Sequence, residues 1–273
     1  GSDVSFANMY LLREKYDIQI CSYRGFLLRH YNGYYGRKGY TFPIGTGSQE
    51  KALQALKEDA KKRREPLCFC LLTEEQKQML EEVFPDTFVF ESNPGDSDYI
   101  YSQEELANLA GKAFHKKKNH FSKFVRTYPD YKYYEIGACN IYDAQKVADA
   151  WYYEHLQDED ASQLAEYKAI KEALDNFEEL GLIGGIIYVN DSPCAMTIAS
   201  KINENTVDVH FEKAVGEYAL NGGYAAINKL FSEKLDGVTW LNREEDIGIE
   251  GLRKAKLSYR PKIMLKKYSA VEK

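Results

Sequence analysis

From Ile18 to Tyr35 the chain is dense in β-branched and aromatic residues, and Arg24-Gly25 and Asn32-Gly33 punctuate the run, so consecutive strands joined by tight turns are predicted. Gly39 to Ile44 extends that sheet. Ser48 is placed to cap a helix that turns Ala52, Leu53, Leu56 and Ala60 inward and ends in Lys61-Lys62-Arg63-Arg64, where cations suit the negative helix end. Pro66 stops it. Leu67 to Leu72 reads as a short buried strand, Thr73 as the cap of a helix to about Val83, and Thr87 to Glu91 as a further strand.

Asn93-Pro94-Gly95-Asp96 is a turn into a strand at Asp98 to Tyr101, after which Ser102 and Glu105 make a capping box for a helix carrying Leu106, Leu109 and Ala110. A strand is predicted over Tyr131 to Asn140, a helix capped by Asp143 to about Leu156, an acidic loop at Asp158 to Asp160, and a helix from Ser162 to Leu180. Three apolar strands follow, Leu182 to Val189, Pro193 to Lys201 and Thr206 to Lys213, separated by the turns Asn190-Asp191 and Asn203-Glu204-Asn205. A helix from Asn221-Gly222-Gly223 through Leu235, a strand at Val238 to Asn242, a short helix at Ile249 to Ala255 and a strand at Lys262 to Tyr268 complete the pattern. A meander followed by helix, strand, helix and strand fits a mixed α/β sheet rather than a Rossmann domain.

At 273 residues the chain exceeds the usual single-domain size, and a division into residues 3–128 and 129–273 is expected, the first lobe including the basic segment described below. Gly1-Ser2 reads as an expression remnant and is set aside. The longest apolar stretch, Gly181 to Val189, is far short of the roughly 20 residues that cross a bilayer, so no integral membrane segment and a cytoplasmic location are expected. Five scattered cysteines predict reduced core thiols rather than disulfides, and no short-spaced ligand pattern predicts a metal. The oligomeric state is not encoded in any of these signals.

The net charge of −6 argues against DNA as a partner, yet it conceals segregation. Between Leu106 and Pro129 there is no acid, while Lys112, Lys116, Lys117, Lys118, Lys123 and Arg126 supply six cations, joined by His115, Asn119 and His120. Phe114, Phe121 and Phe124 recur among them at helical spacing, so an amphipathic helix is predicted whose cations either hold a phosphate-bearing ligand or simply face water. A second acid-free run from Gly251 to Val271 holds Arg253, Lys254, Lys256, Arg260, Lys262, Lys266 and Lys267 with Tyr259 and Tyr268, suited to a nucleotide or a tRNA end. Asn221, Gly222 and Gly223, opening a helix after a strand, form a candidate anion site at a helix N-terminus, or a tight turn alone.

Along Val207 to Glu212, alternation puts Asp208, His210 and Glu212 on one face of a strand, where Glu212 is the candidate base, His210 lies nearby and Tyr218 or Tyr259 is the candidate proton donor. A wet edge strand explains the same alternation. Asn242-Arg243-Glu244-Glu245-Asp246 ends the next strand, a place where binding residues collect.

Three of these blocks in order, Asp98-Tyr99-Ile100-Tyr101 with Leu106 to Phe124, His210 to Ala214, and Asn242 to Asp246 followed by Gly251 to Pro261, resemble the phosphatidylglycerol lysyltransferase C-terminal-domain-like family. That resemblance implies an α/β fold of two tandem GNAT-like domains, each a mixed, mostly antiparallel sheet flanked by helices and similar to the Fem-type transferases, with a cleft between the lobes. It implies acyl transfer, foremost aminoacyl transfer from an aminoacyl-tRNA-type donor to an amine or hydroxyl. Acyl-CoA-dependent transfer and a non-catalytic module binding a phosphate-bearing ligand are the alternatives; no permanently bound cofactor is implied. The GNAT pyrophosphate loop, with Arg or Gln before spaced glycines, is absent, which weakens acetyl-CoA as donor. Glu212, Asp246 and Tyr259 are the expected catalytic residues; His115, Lys116, Lys117, Lys118, Asn119, His210, Asn242, Arg243, Lys254 and Lys256 are the expected contacts to phosphate and substrate.

Overall fold

The computed structural model describes residues 1–33, 36–155 and 161–273. The expected acidic loop Asp158 to Asp160, the end of the helix expected to reach Leu156 and the Tyr34-Tyr35 end of the first strand run lie outside them.

Helices α1 (Phe6–Leu11) and α2 (Arg13–Tyr16) lead into a hairpin of β1 (Ile18–Tyr23) and β2 (Phe26–Asn32). Its turn has positive φ at both Arg24 and Gly25, the mirror-image turn that matches strand twist. β3 (Lys38–Tyr40), β4 (Ile44–Gly45), β5 (Cys68–Leu72) and β6 (Phe88–Glu91) extend this first sheet, which α3 (Gln49–Arg63) and α4 (Glu74–Val83) cover. Ser48 and Thr73 cap these helices through the backbone amides of Lys51 and Gln76, as their positions require. Leu53, Leu56, Phe69, Leu72 and Leu80 form the core beneath.

The second sheet is built from β7 (Asp98–Ser102), β8 (Lys132–Glu135), β9 (Ile183–Val189), β10 (Ser192–Asn203), β11 (Thr206–Ala214), β12 (Trp240–Asn242) and β13 (Ile263–Leu265), ordered β13-β7-β12-β11-β10-β9-β8. All neighbours are antiparallel except β11 and β12, which run parallel. Helices cover both faces. Preceding β8 are α5 (Gln103–Asn108) and α6 (His115–Thr127); α7 (Ile141–His155) and α8 (Ala161–Asp175) follow it, and α9 (Gly216–Leu220) and α10 (Gly223–Glu233) cross from β11 to β12. Ile186, Met196 and Phe211 pack against α7 and α8, whereas Ile187, Ala195, Val207 and Val209 pack against the α6 and α10 side. After β12, α11 (Glu250–Leu257) precedes β13. The two-lobed mixed α/β architecture implied by the resemblance is present.

Strand pairing divides the chain elsewhere than at residue 128. β7, α5 and α6 belong with the second sheet, and the expected strand Lys262 to Tyr268 is two: β13 pairs with β7, and β14 (Tyr268–Glu272) returns to the first sheet between β5 and β6. The crossing point is Lys267. Its ammonium is buried, 2.5 Å from Asp98 Oδ1 and 3.3 Å from Asp3 Oδ1, and Ser2, set aside in the sequence, donates its backbone amide to Asp98 Oδ2 at 2.8 Å. Asp143 is not a cap: it lies inside α7 and accepts from Lys146 and Tyr188. Of the cysteines, all free, Cys70 and Cys194 are buried but Cys21 and Cys139 are exposed, so the core-thiol expectation fails for those two.

One irregularity decides how side chains are distributed. The β10–β11 register shifts between Ile198, opposite Phe211, and Ala199, opposite Val209, which leaves His210 as the extra residue of a bulge. Val209 therefore faces the α10 side and Phe211 the α7 side, although they are two residues apart. Asp208 and His210 consequently lie on the opposite face from Glu212, and the expectation that all three share a face is corrected.

Candidate anion-binding site

The stripe formed by Phe114, just before α6, and Lys117, Phe121 and Phe124 on it turns toward the second sheet, with Phe114 and Phe124 buried and Lys117 half-buried. Lys117 Nζ sits 3.9 Å from the ring centre of Tyr259, which follows α11. His115, Lys116, Lys118 and Asn119 are exposed, and Asn119 Nδ2 only donates to His115 Nδ1 at 3.4 Å. Of the predicted phosphate helix, then, a single cation is turned inward.

A second cation approaches the same ring. Arg243 Cζ lies 4.8 Å from the Tyr259 centroid and 5.6 Å from that of Tyr101. Its Nη2 donates to Glu212 Oε1 at 2.9 Å, and Asn228 Nδ2 of α10 donates to Glu212 Oε2 at 3.1 Å. Arg243 Nη1 is buried without a hydrogen-bond partner among the described residues. Asn228 was missed in the sequence; its signal was a lone amide inside the apolar stripe Ala225, Ala226, Ile227, Phe231. Lys117, Glu212, Arg243 and Tyr259 therefore come together, all from elements of the second sheet rather than from a cleft between the lobes.

Burial makes two cations beside one carboxylate costly. Desolvation first, and then repulsion from Arg243, lower the Lys117 ammonium to about 8, with Glu212 opposing. Burial also pushes the Tyr259 phenol up, so it stays protonated. Because the folded chain releases the Lys117 proton earlier than the unfolded chain does, Lys117 weakens the fold below about pH 8, and that penalty fades as pH rises toward the ordinary lysine value. Lys117→Met should accordingly be more stable than the parent at pH 7, and denaturant titrations at pH 7 and pH 10 should show the difference shrinking; a difference independent of pH contradicts this placement.

Other predicted residues serve the scaffold. Lys256 Nζ donates to the backbone carbonyls of Arg243, Glu244 and Glu245, the last at 2.6 Å, holding the loop that carries Arg243 rather than a phosphate. Asp246 is fully buried and accepts from Tyr99 at 2.5 Å, from Arg253 at 2.8 and 3.0 Å and from the Gly248 amide at 2.8 Å. Burial pushes its carboxyl up, but the hydrogen bonds from Arg253, Tyr99 and the Gly248 amide outweigh burial and hold it below its ordinary value, so it stays ionised with its oxygens engaged by the scaffold. Asn242 bridges Asp98 Oδ2 and the Glu244 amide, and Lys254 makes an exposed i,i+4 pair with Glu250. Tyr218 packs on Tyr128, centroids 5.0 Å apart.

Asn221-Gly222-Gly223 is not an anion site but a close-packing point. A Cβ on Gly222 would lie 2.2 Å from the His120 carbonyl of α6, and Asn221 Nδ2 donates to Tyr128 Oη at 2.8 Å. With φ of +102° besides, Gly222→Ala is expected to lower stability by about 1–3 kcal/mol in denaturant unfolding.

His210 lies behind the sheet, in a separate cluster. Its Nε2 is 2.8 Å from Ser200 Oγ, and its Nδ1 is 3.1 Å from Glu244 Oε1 and 3.6 Å from Asp208 Oδ2. Burial, then Glu244 and Asp98, push the Asp208 carboxyl well above its ordinary range.

The sequence matches the family described as phosphatidylglycerol lysyltransferase, C-terminal, over residues 1–271. A conserved protein of unknown function from Bacteroides thetaiotaomicron VPI-5482 is 38% identical, with a TM-score of 0.92 over 100% of this chain and 91% of that one. The structure of L-PGS from Bacillus licheniformis superposes with a TM-score of 0.66 over 97% of this chain and 90% of that one at 13% identity, a likeness of fold. An uncharacterised protein of Mycoplasmoides gallisepticum is 25% identical over 176 residues, 63% of this chain and 55% of that relative, so the match spans about half of the relative's length. No described helix is long and apolar enough to cross a membrane.

Proposed function

The chain belongs to the phosphatidylglycerol lysyltransferase C-terminal family, and from that premise we propose that it is an acyltransferase moving an aminoacyl group from an aminoacyl-tRNA-type donor to an amine or hydroxyl. One observation carries the reading. Lys117 and Arg243 meet at one aromatic ring beside the Glu212 carboxylate, and one guanidinium nitrogen has no hydrogen-bond partner among the described residues. Such a site has positive charge in excess beside a buried ring, which suits the phosphate of a nucleotide-bearing donor.

The ester of such a donor is already activated, so the protein's task is orientation and charge stabilisation. The acceptor's nitrogen or oxygen attacks the ester carbonyl, the bond from acyl carbon to donor oxygen breaks, and the acceptor's proton ends on the released oxygen. Arg243 and Lys117 stabilise the negative charge that develops. Glu212, held by Arg243 and Asn228, keeps lone pairs with which to orient an attacking N–H or O–H. The protonated Tyr259 phenol is the donor available to the leaving oxygen.

The test is consumption of charged tRNA in the presence of an amine acceptor. Loss of the ester faster than in buffer, abolished by Glu212→Gln, is expected. A rate equal to the spontaneous one overturns the reading, and consumption of an acyl-CoA instead moves the donor to the coenzyme ester.

A further inference from the structure

Behind the sheet from the anion pocket, the bulge brings Asp208 and His210 of β11 against Glu244, which follows β12. One donor atom from each lies within 4.8 Å of the others. We propose that Asp208, His210 and Glu244 bind a divalent first-row transition-metal ion of the Zn²⁺ or Mn²⁺ class, which locks β11 to the loop presenting Arg243. This goes beyond the transferase reading and does not depend on it.

The spacing fits. His210 Nδ1 stands 3.1 Å from Glu244 Oε1 and 3.6 Å from Asp208 Oδ2, and donors about 2.0–2.2 Å from one ion sit at comparable separations from one another. The supporting contacts fit as well. Ser200 Oγ, 2.8 Å from His210 Nε2, can accept a hydrogen bond from Nε2–H, which leaves the Nδ1 lone pair facing the carboxylates; Asn8 Nδ2 donates to Glu244 Oε1 at 2.8 Å. Two carboxylates and a neutral imidazole carry two negative charges, which a divalent ion cancels.

A separate observation asks for a ligand there. Asp208 is fully buried, and among the described residues neither of its oxygens accepts a hydrogen bond, while Oδ2 is turned toward His210 Nδ1. An unpaired buried carboxylate is a heavy penalty for a fold. Lys267, the neighbouring ammonium, is engaged by Asp98 and Asp3. A proton on Nδ1 or on Asp208 itself is the competing state, but either leaves an Asp208 oxygen without a hydrogen-bond partner among the described residues, whereas a metal ion with a bound water serves both oxygens. Nitrogen and carboxylate donors select zinc, manganese or their neighbours rather than calcium. Residues 208, 210 and 244 are too far apart in sequence for a short-spacing rule to find them.

The experiment measures metal by elemental analysis in the purified chain, then removes it with a chelator and returns Zn²⁺, Mn²⁺ or Co²⁺ while following melting temperature and visible absorption. Uptake of one equivalent is expected, with a rise of about 5 °C or more at saturation and a Co²⁺ ligand-field spectrum. Glu244→Gln, the mildest change because this carboxylate is the most exposed of the three, should weaken uptake at least tenfold while the chain stays folded; His210→Gln should abolish the Co²⁺ spectrum. Absence of uptake by the folded parent overturns the proposal, as does uptake that is the same in both variants.

Discussion

Lys267→Met is expected to destabilise the protein by about 3–5 kcal/mol. The ammonium is raised above its ordinary value because, although burial alone would lower it, Asp98 and Asp3 surround it. Removing it leaves Asp98, with 0% of its surface exposed, facing Asp3 in a dry junction. The junction also holds the Arg37–Glu245 pair, in which burial is outweighed by Arg37 and Lys267 so that Glu245 is lowered to about 2. These charges sit where β14 leaves the second lobe for the first, so their loss should loosen the lobes together. Denaturant unfolding followed by tryptophan fluorescence gives the number; a change below about 1 kcal/mol would mean that the pair is solvated.

Arg243→Gln is expected to lower the transfer rate by about 10²–10³-fold, the usual cost of removing one donor from a developing charge. The side chain performs three contacts at once: to Glu212, to the Tyr259 face and to the Tyr101 face. Lysine at this position restores the charge but not the planar stacking or the directed donor, so Arg243→Lys should recover only part of the rate. Stopped assays on the two variants, with circular dichroism to confirm folding, separate these contributions. Equal rates in parent and Gln variant would remove Arg243 from the reaction.

Most strands and caps were legible because their signals are local. Arg24-Gly25, Ser48 and Thr73 act within three residues of themselves, and each does what its type dictates. Lys262 to Tyr268 reads as one strand in the sequence, because nothing in its alternation records that two sheets compete for it. The bulge at His210 was equally invisible, and it alone reverses the facing of Glu212 relative to Asp208. Among the basic residues, Lys116, Lys117 and Lys118 are equal candidates in the sequence, since Lys118 is also at helical spacing from Phe114 and Phe121; only the packing of the helix turns Lys117 inward. Lys256 and Arg253 gave no warning either: what binds them, the carbonyls of residues 243–245 and the Asp246 carboxylate, is supplied by a loop whose path only the fold determines.

Calorimetric titration of the trinucleotide CCA, the 3′ end of tRNA, into the parent chain and into Lys117→Met and Lys116→Met tests the anion pocket most directly. Saturable binding by the parent, weakened at least tenfold by Lys117→Met and unchanged by the outward-facing Lys116→Met, is the predicted result. No binding, or equal affinity in all three, would contradict it.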